Sequence, residues 1–269
     1  MFPEWNRGRC CRMHGCTVVV CDCEEVAKLV ARRLVAFPSS DEAPYVSLEV
    51  CAEPRRVLDA VVRDARVVHR STGAAVAYSD RLDELWIDYG ERGRAHCRAR
   101  TMDADITVDP GCVGWQWLAT RPLLTVSLLE LLKRRSLFGL HAAVTARNDR
   151  GVAFIGPSGK GKSTAALACA LAGWSFLGDD IVFMRSGVPA VEVLAFPDEI
   201  DASEKTIRLF PQLGEPSDWP KLDGYGKHQL ASDRICREMA SVATSPTALL
   251  LLHIPAETMP SRRLRRTKR

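Results

Sequence analysis

Between residues 156 and 163 the chain reads Gly156-Pro157-Ser158-Gly159-Lys160-Gly161-Lys162-Ser163, matching G-x-x-x-x-G-K-[ST] at every fixed position. Glycines in such a loop let the backbone curl until successive N–H groups face inward on phosphate oxygens. Lys162 would reach β- and γ-phosphates, the Ser163 hydroxyl would sit on Mg²⁺, and Thr164 closes the cradle. Seventeen residues after Lys162 stand two adjacent acids, Asp179 and Asp180. Such a pair can divide the work of phosphoryl transfer: one carboxylate holds Mg²⁺ and the other takes the proton of an attacking hydroxyl. Each feature has a blander reading, a glycine-rich turn and a solvated Asp-Asp turn. The elements around them decide between the readings.

Those elements fit. Residues 152–155 form a short apolar run that predicts a buried strand leading into the loop. Residues 163–172 read as a helix stopped at Gly173, whose N-terminus would add the positive end of its dipole to the cradle. Residues 174–177 predict another strand, with Gly178-Asp179-Asp180 at its end. Ligands of open α/β sheets bind outside the carboxyl ends of strands, so one helix and one strand would bring the acids beside the loop. The chemistry implied is that of a nucleotide-phosphate site.

The run Leu140-His141-Ala142-Ala143-Val144, the phosphate loop, and Ala172-Gly173-Trp174-Ser175-Phe176-Leu177-Gly178-Asp179-Asp180 together resemble the C-terminal domain of HPr serine kinase/phosphorylase. That domain is related to phosphoenolpyruvate carboxykinases. The resemblance covers residues 136–200 and fades toward 230. It is strongest to small HPr-kinase-like proteins of ribosomal-peptide clusters, of the lasso-peptide-kinase and SynChlorMet-cassette types. It implies an α/β fold with a PEP-carboxykinase-like P-loop catalytic domain, ATP and Mg²⁺ as cofactors, and catalytic roles for Lys162, Asp179, Asp180 and His141. Ser163 and Asp180 would be the metal contacts, although which acid is the base stays open. By its residue type alone His141 reads as a core or turn histidine. HPr kinase is hexameric, which makes a homo-oligomer a further expectation, but the surfaces that build the hexamer have no match here. The glycine-centred substrate loop of HPr kinase is also missing, so the resemblance does not carry HPr as substrate, nor reverse phosphorolysis.

Composition sets the outer limits. Apolar residues at 46% and charged residues at 26% are ordinary globular values, and 269 residues suffice for two modest cores. The net charge of +4 misleads, because the tail 261–269 carries six basic residues and no acid, leaving the rest at −2. A nucleic-acid footprint is therefore not spread over the body, and the tail reads as a solvated, disordered end. No stretch approaches the ~18 apolar residues of a spanning helix, and no signal peptide is evident. The expected location is the cytoplasm, with its ten cysteines mainly as thiols. Cys10, Cys11, Cys16, Cys21 and Cys23 lack paired CxxC spacing and are assigned no metal.

The remainder divides at about residue 120, into an N-terminal α+β domain (1–120) for substrate recognition or assembly, a catalytic domain (121–260) and the tail. Residues 1–16 look irregular. Residues 24–37 predict a helix, and 45–51, 66–69, 74–78, 84–89, 95–100 and 105–108 predict strands in antiparallel hairpins. Trp86, Trp115 and Trp117 read as packing residues. Residues 121–138 predict a helix with Pro122 in its first turn and Gly139 at its end. Beyond the acids, residues 181–184, 191–196 and 248–254 read as strands. Asp223-Gly224-Tyr225-Gly226-Lys227 reads equally as a surface turn or as a cation brought up to phosphate.

Three functions follow as expectations. The first is an ATP-dependent kinase acting on a Ser or Thr hydroxyl of a peptide or small protein, such as a ribosomal-peptide precursor. The second keeps the nucleotide site in a small-molecule kinase or accessory ATPase. The third is a non-catalytic module that binds nucleic acid or a membrane surface through the tail.

Overall fold

The computed structural model describes residues 8–22, 24–53, 65–71, 73–148, 150–187, 191–196, 198–221, 226–235 and 245–252. The basic tail, Cys23 and Asp223-Gly224-Tyr225 lie outside them. The chain is a mixed α/β protein built on several sheets.

The first half comprises β1 (Gly8–Met13), β2 (Cys16–Asp22), α1 (Glu24–Arg33), β3 (Val46–Ala52), β4 (Arg66–Ser71), β5 (Ala74–Ser79), β6 (Glu84–Asp88), β7 (Gly93–Arg98) and β8 (Asp103–Val108). They form one eight-stranded sheet in the order β1-β2-β3-β8-β7-β6-β5-β4. The hairpins expected here are present, but β2, β3 and β8 run parallel to one another. Residues 8–16 are not irregular: β1 and β2 form a hairpin, turned at His14-Gly15 with both residues at positive φ. Alternation sorts the faces, as a period of two requires. Val46, Leu48, Val50, Leu85, Ile87, Ala95, Cys97, Ala104 and Ile106 are buried. On the opposite face Arg98 is bonded to Asp105 at 2.7 Å, and Trp86 stacks on His96 with centroids 4.8 Å apart. The α1 helix packs Val26 and Val30 into the core but ends at Arg33, short of the expected residue 37.

The segment expected as one helix from residue 121 begins earlier and is not uniform. It opens as α2 (Trp115–Leu118), widens into a π-turn at Ala119–Leu123, and continues as α3 (Leu124–Leu132) and a 3-10 turn, Lys133–Arg135. Pro122 sits inside the π-turn and not at a helix start. A proline has no N–H to give and its ring crowds the preceding turn, and the wider turn absorbs both. Ser136, at φ 59°, ends the segment, and Gly139 belongs to the next strand. Leu124, Leu128 and Leu131 are buried in the same core as the eight-stranded sheet, and Phe183, Leu194 and Phe196 of the second half join it. The chain thus passes from one half to the other through a shared core.

The second half contains β9 (Phe138–Leu140), β10 (Ala143–Arg147), β11 (Arg150–Ile155), α4 (Lys162–Leu171), β12 (Ser175–Gly178), β13 (Val182–Arg185), β14 (Glu192–Leu194), β15 (Ile200–Ala202), α5 (Glu204–Arg208), β16 (His228–Leu230), α6 (Ser232–Ile235) and β17 (Ser245–Leu251). Its main sheet has the order β12-β10-β11-β17, with β14-β13-β9 and β15-β16 as smaller sheets. Because β10 is antiparallel to both neighbours, β11 and β12 point the same way. The register pairs Ala143 with Phe154 and Val144 with Gly178. One edge therefore gathers the residues before β10, the loop after β11 and the acids after β12. On this sheet α4 packs Ala166, Leu167 and Ala170 beside Phe154 and Phe176. Among the described residues no helix is long and apolar enough to cross a membrane.

Candidate functional site

At that edge lies a cleft of about 190 Å³, walled by His141, Ser158, Gly159, Gly161, Lys162, Ser163, Thr164, Asp179, Asp180, Asp201, Ser203, Thr206 and Lys227. His141, Lys162, Ser163, Thr164, Asp179 and Asp180, which the sequence singled out, are all there. Gly156, Pro157 and Lys160 stay out of its wall.

The loop owes its curl to Gly159 and Gly161, at φ +78° and +91°, where a side chain would be strained. Gly161 is also the N-cap of α4, and no side chain caps the helix. The first amides of α4 are thus left for a ligand at the positive end of the helix dipole. Lys162 is buried, and its Nζ folds back onto the loop, donating to the carbonyls of Gly156 at 2.9 Å and Pro157 at 3.3 Å. The ammonium is held under the cradle.

Asp179 comes off β12 into the interior, only 4% exposed. Gly178 makes this possible: a Cβ there would stand 2.7 Å from the Ile181 carbonyl oxygen and 3.0 Å from that of Phe196. The Asp201 amide donates to Asp179 Oδ2 at 3.2 Å. Oδ1 is buried without a well-formed hydrogen bond among the described residues, although the Ser163 hydroxyl is near enough to act on the group. Burial pushes Asp179 up to about 7. The Ser163 hydroxyl opposes this, and the Asp201 carboxylate reinforces it. Asp180 lies outward, half exposed, with its Oδ1 3.0 Å from Nε2 of His141. The two acids therefore occupy unlike environments.

Sequence reasoning missed Asp201, Ser203 and Thr206. They arrive through β15, which pairs with β16, and through α5, whose N-cap Ser203 accepts from the Thr206 amide at 3.1 Å. Thr206 Oγ1 lies 3.3 Å from that of Thr164. The Ser203-x-x-Thr206 spacing was a legible helix start, but nothing local told where the helix would dock. Lys227, left open between turn and phosphate contact, is on the cleft wall.

The donor set suits a hard cation, since Ser163, Asp179 and Asp180 offer only oxygen. Among the described residues no group of three or more His, Cys, Asp or Glu could hold a metal alone. A cation here would complete its shell with ligand oxygens and water, as Mg²⁺ commonly does. Taken as a whole, the cleft presents the first amides of α4, two lysines, five hydroxyl side chains and two buried carboxylates, one of which, Asp179, has an Oδ1 without a well-formed hydrogen bond. Such a set can hold a polyanion and receive a proton beside it. Compared with known proteins, the chain matches no family model and no curated protein.

Proposed function

We propose that the chain is an ATP-dependent kinase of the HPr-kinase-like type, with a PEP-carboxykinase-like P-loop, acting on a Ser or Thr hydroxyl of a peptide or small protein. The observation that carries this reading is the convergence of His141, of Ser158, Gly159 and Gly161–Thr164 from the loop, and of Asp179 and Asp180 on one cleft. These parts lie on separate strand ends, and a glycine-rich turn alone would not gather them.

In this reading the amides from Ser158 to Thr164 hold the phosphates of ATP. Lys162 turns its ammonium from the loop carbonyls toward the γ-phosphoryl group, where charge develops as the group is transferred. Ser163 and Asp180 would hold Mg²⁺, which when bound neutralises phosphate charge. The buried Asp179 takes the proton of the acceptor hydroxyl through its idle oxygen, and a carboxyl poised near 7 suits that role at neutral pH. Asp180 and His141 sit at the mouth, where the acceptor enters, and hold each other in place. Positioning and electrostatics supply most of the acceleration in such transfers. A ribosomal-peptide precursor is the acceptor class favoured by the sequence resemblance.

The test is transfer of label from γ-labelled ATP with Mg²⁺ to HPr or to a precursor peptide. Wild type would be compared with Lys162→Ala and with Asp179→Ala/Asp180→Ala. Label on a peptide from wild type and from neither variant supports the proposal. Free phosphate without labelled acceptor would move the reading to an accessory ATPase. Absence of ATP binding would end it.

A further inference from the structure

Behind the cleft lies a cluster of buried charges that the phosphoryl-transfer scheme does not use. Arg33, in the last turn of α1, and Arg121, in the π-turn, are 5% and 8% exposed. Both pair with Asp198. Arg121 also reaches Asp201 Oδ1 at 3.4 Å and Glu199 Oε2 at 3.7 Å, and Arg32 pairs with Glu199 from the surface side. Arg33 is further fixed by donating to Thr125 Oγ1 at 3.0 Å and by stacking its guanidinium 4.9 Å above the Phe196 ring. Three acids on the four-residue stretch 198–201 would repel one another without these cations. The stretch leads directly to the Asp201 amide that bonds Asp179 Oδ2.

We infer that Arg33 and Arg121 are positioning residues of the site: by clamping residues 198–201 they hold the Asp201 amide against Asp179, so that the N-terminal layer fixes the carboxylate from behind. A planar guanidinium fork bridges two carboxylates in a fixed geometry, which the rotatable donors of a lysine ammonium do not impose. Arg121 does so between Asp198 and Asp201, and it spans the loop-like stretch before β15. The loop that holds Lys162 belongs to β11 and α4 and does not depend on this clamp.

The turnover arm of the test rests on the kinase reading, and the exchange arm does not. Amide hydrogen exchange would be followed in nucleotide-free wild type, Arg121→Gln, Arg121→Lys and Arg33→Gln. In Arg121→Gln, exchange should rise about tenfold or more at residues 198–202 and at 178–180, with residues 156–163 unchanged. Loss of a supporting partner around a reactive group typically lowers activity about 10–100-fold. Turnover should fall in that range while the ATP dissociation constant stays within about threefold, as expected for groups that act through Asp179 and not on the nucleotide. Arg121→Lys should recover part of the turnover, and Arg33→Gln should act in the same direction but more weakly. Deprotection of 198–202 with no change at 178–180 overturns the inference. So does a parallel loss of ATP binding and turnover, which would mark a general loss of structure. If Arg121→Gln does not fold, Arg121→Lys and Arg33→Gln decide by the same exchange criterion. A wild type that fails to bind ATP would sink the kinase reading and leave the exchange arm to judge the clamp.

Discussion

Replacing Asp179 by asparagine should abolish turnover and yet make the protein harder to unfold. Burial is the main reason that the Asp179 pKa rises from an ordinary 3.8 to about 7. A carboxyl that holds its proton more tightly in the folded chain makes the folded state the better proton binder between those values. Stability from this group is therefore full below about pH 4, falls as pH rises toward 7, and levels off above it. Each pH unit in that window weighs about 1.4 kcal/mol, so the ionised carboxylate opposes folding by up to about 4 kcal/mol near pH 8. Asparagine removes the charge and keeps an oxygen for the Asp201 amide. We expect Asp179→Asn to be about 2–4 kcal/mol more stable than wild type near pH 8, with the gap closing toward pH 4. Urea unfolding in EDTA across that range, with slopes m unchanged, measures it. A variant less stable than wild type near pH 8, or a gap independent of pH, would refute the reasoning.

Other perturbations separate the parts of the cleft. Lys162→Ala removes the donor to the Gly156 and Pro157 carbonyls; calorimetry should show ATP affinity reduced at least about tenfold, or ~1.4 kcal/mol. Gly178→Ala forces a methyl against the Ile181 and Phe196 carbonyl oxygens, and chemical unfolding should show a loss of about 1–3 kcal/mol. If Lys227 contacts phosphate, Lys227→Ala should weaken ATP binding about 10–100-fold, the ~1.5–3 kcal/mol of a charged hydrogen bond. An unchanged affinity would return Lys227 to the surface-turn reading.

The site was legible where its geometry is written into short stretches. Gly159 and Gly161 are needed for their φ, Lys162 and Ser163 for their reach, and the one-helix, one-strand link to Asp179 left little choice of placement. Most strands of the first half were legible from alternation to within a few residues. What stayed hidden is what depends on distant partners. Asp201 and Thr206 reach the cleft only because β15 pairs with β16, and Arg33 and Arg121 find their acids across the core. Pro122 misled for a local reason: its preference for a helix start is real, but a π-turn can host it. The hairpin at residues 8–16 hid behind a crowd of cysteines and a His-Gly turn that carries no usual hairpin signature.

The floor of the loop has a consequence for how the protein comes to be. Leu252 donates its amide to the Ile155 carbonyl at 2.7 Å, and β17 pairs in parallel along the whole of β11. These partners are separated by about a hundred residues of sequence, so the contact closes one of the longest loops in the chain, a slow step in any folding order. At a synthesis rate of about 5–20 residues per second, a ribosome makes β17 roughly 5–20 s after β11. During that interval the strand under the phosphate loop has an open edge on its β17 side. A nascent chain would thus complete the floor of its phosphate loop only after β17 is made, when β1 to β8 have long been synthesised.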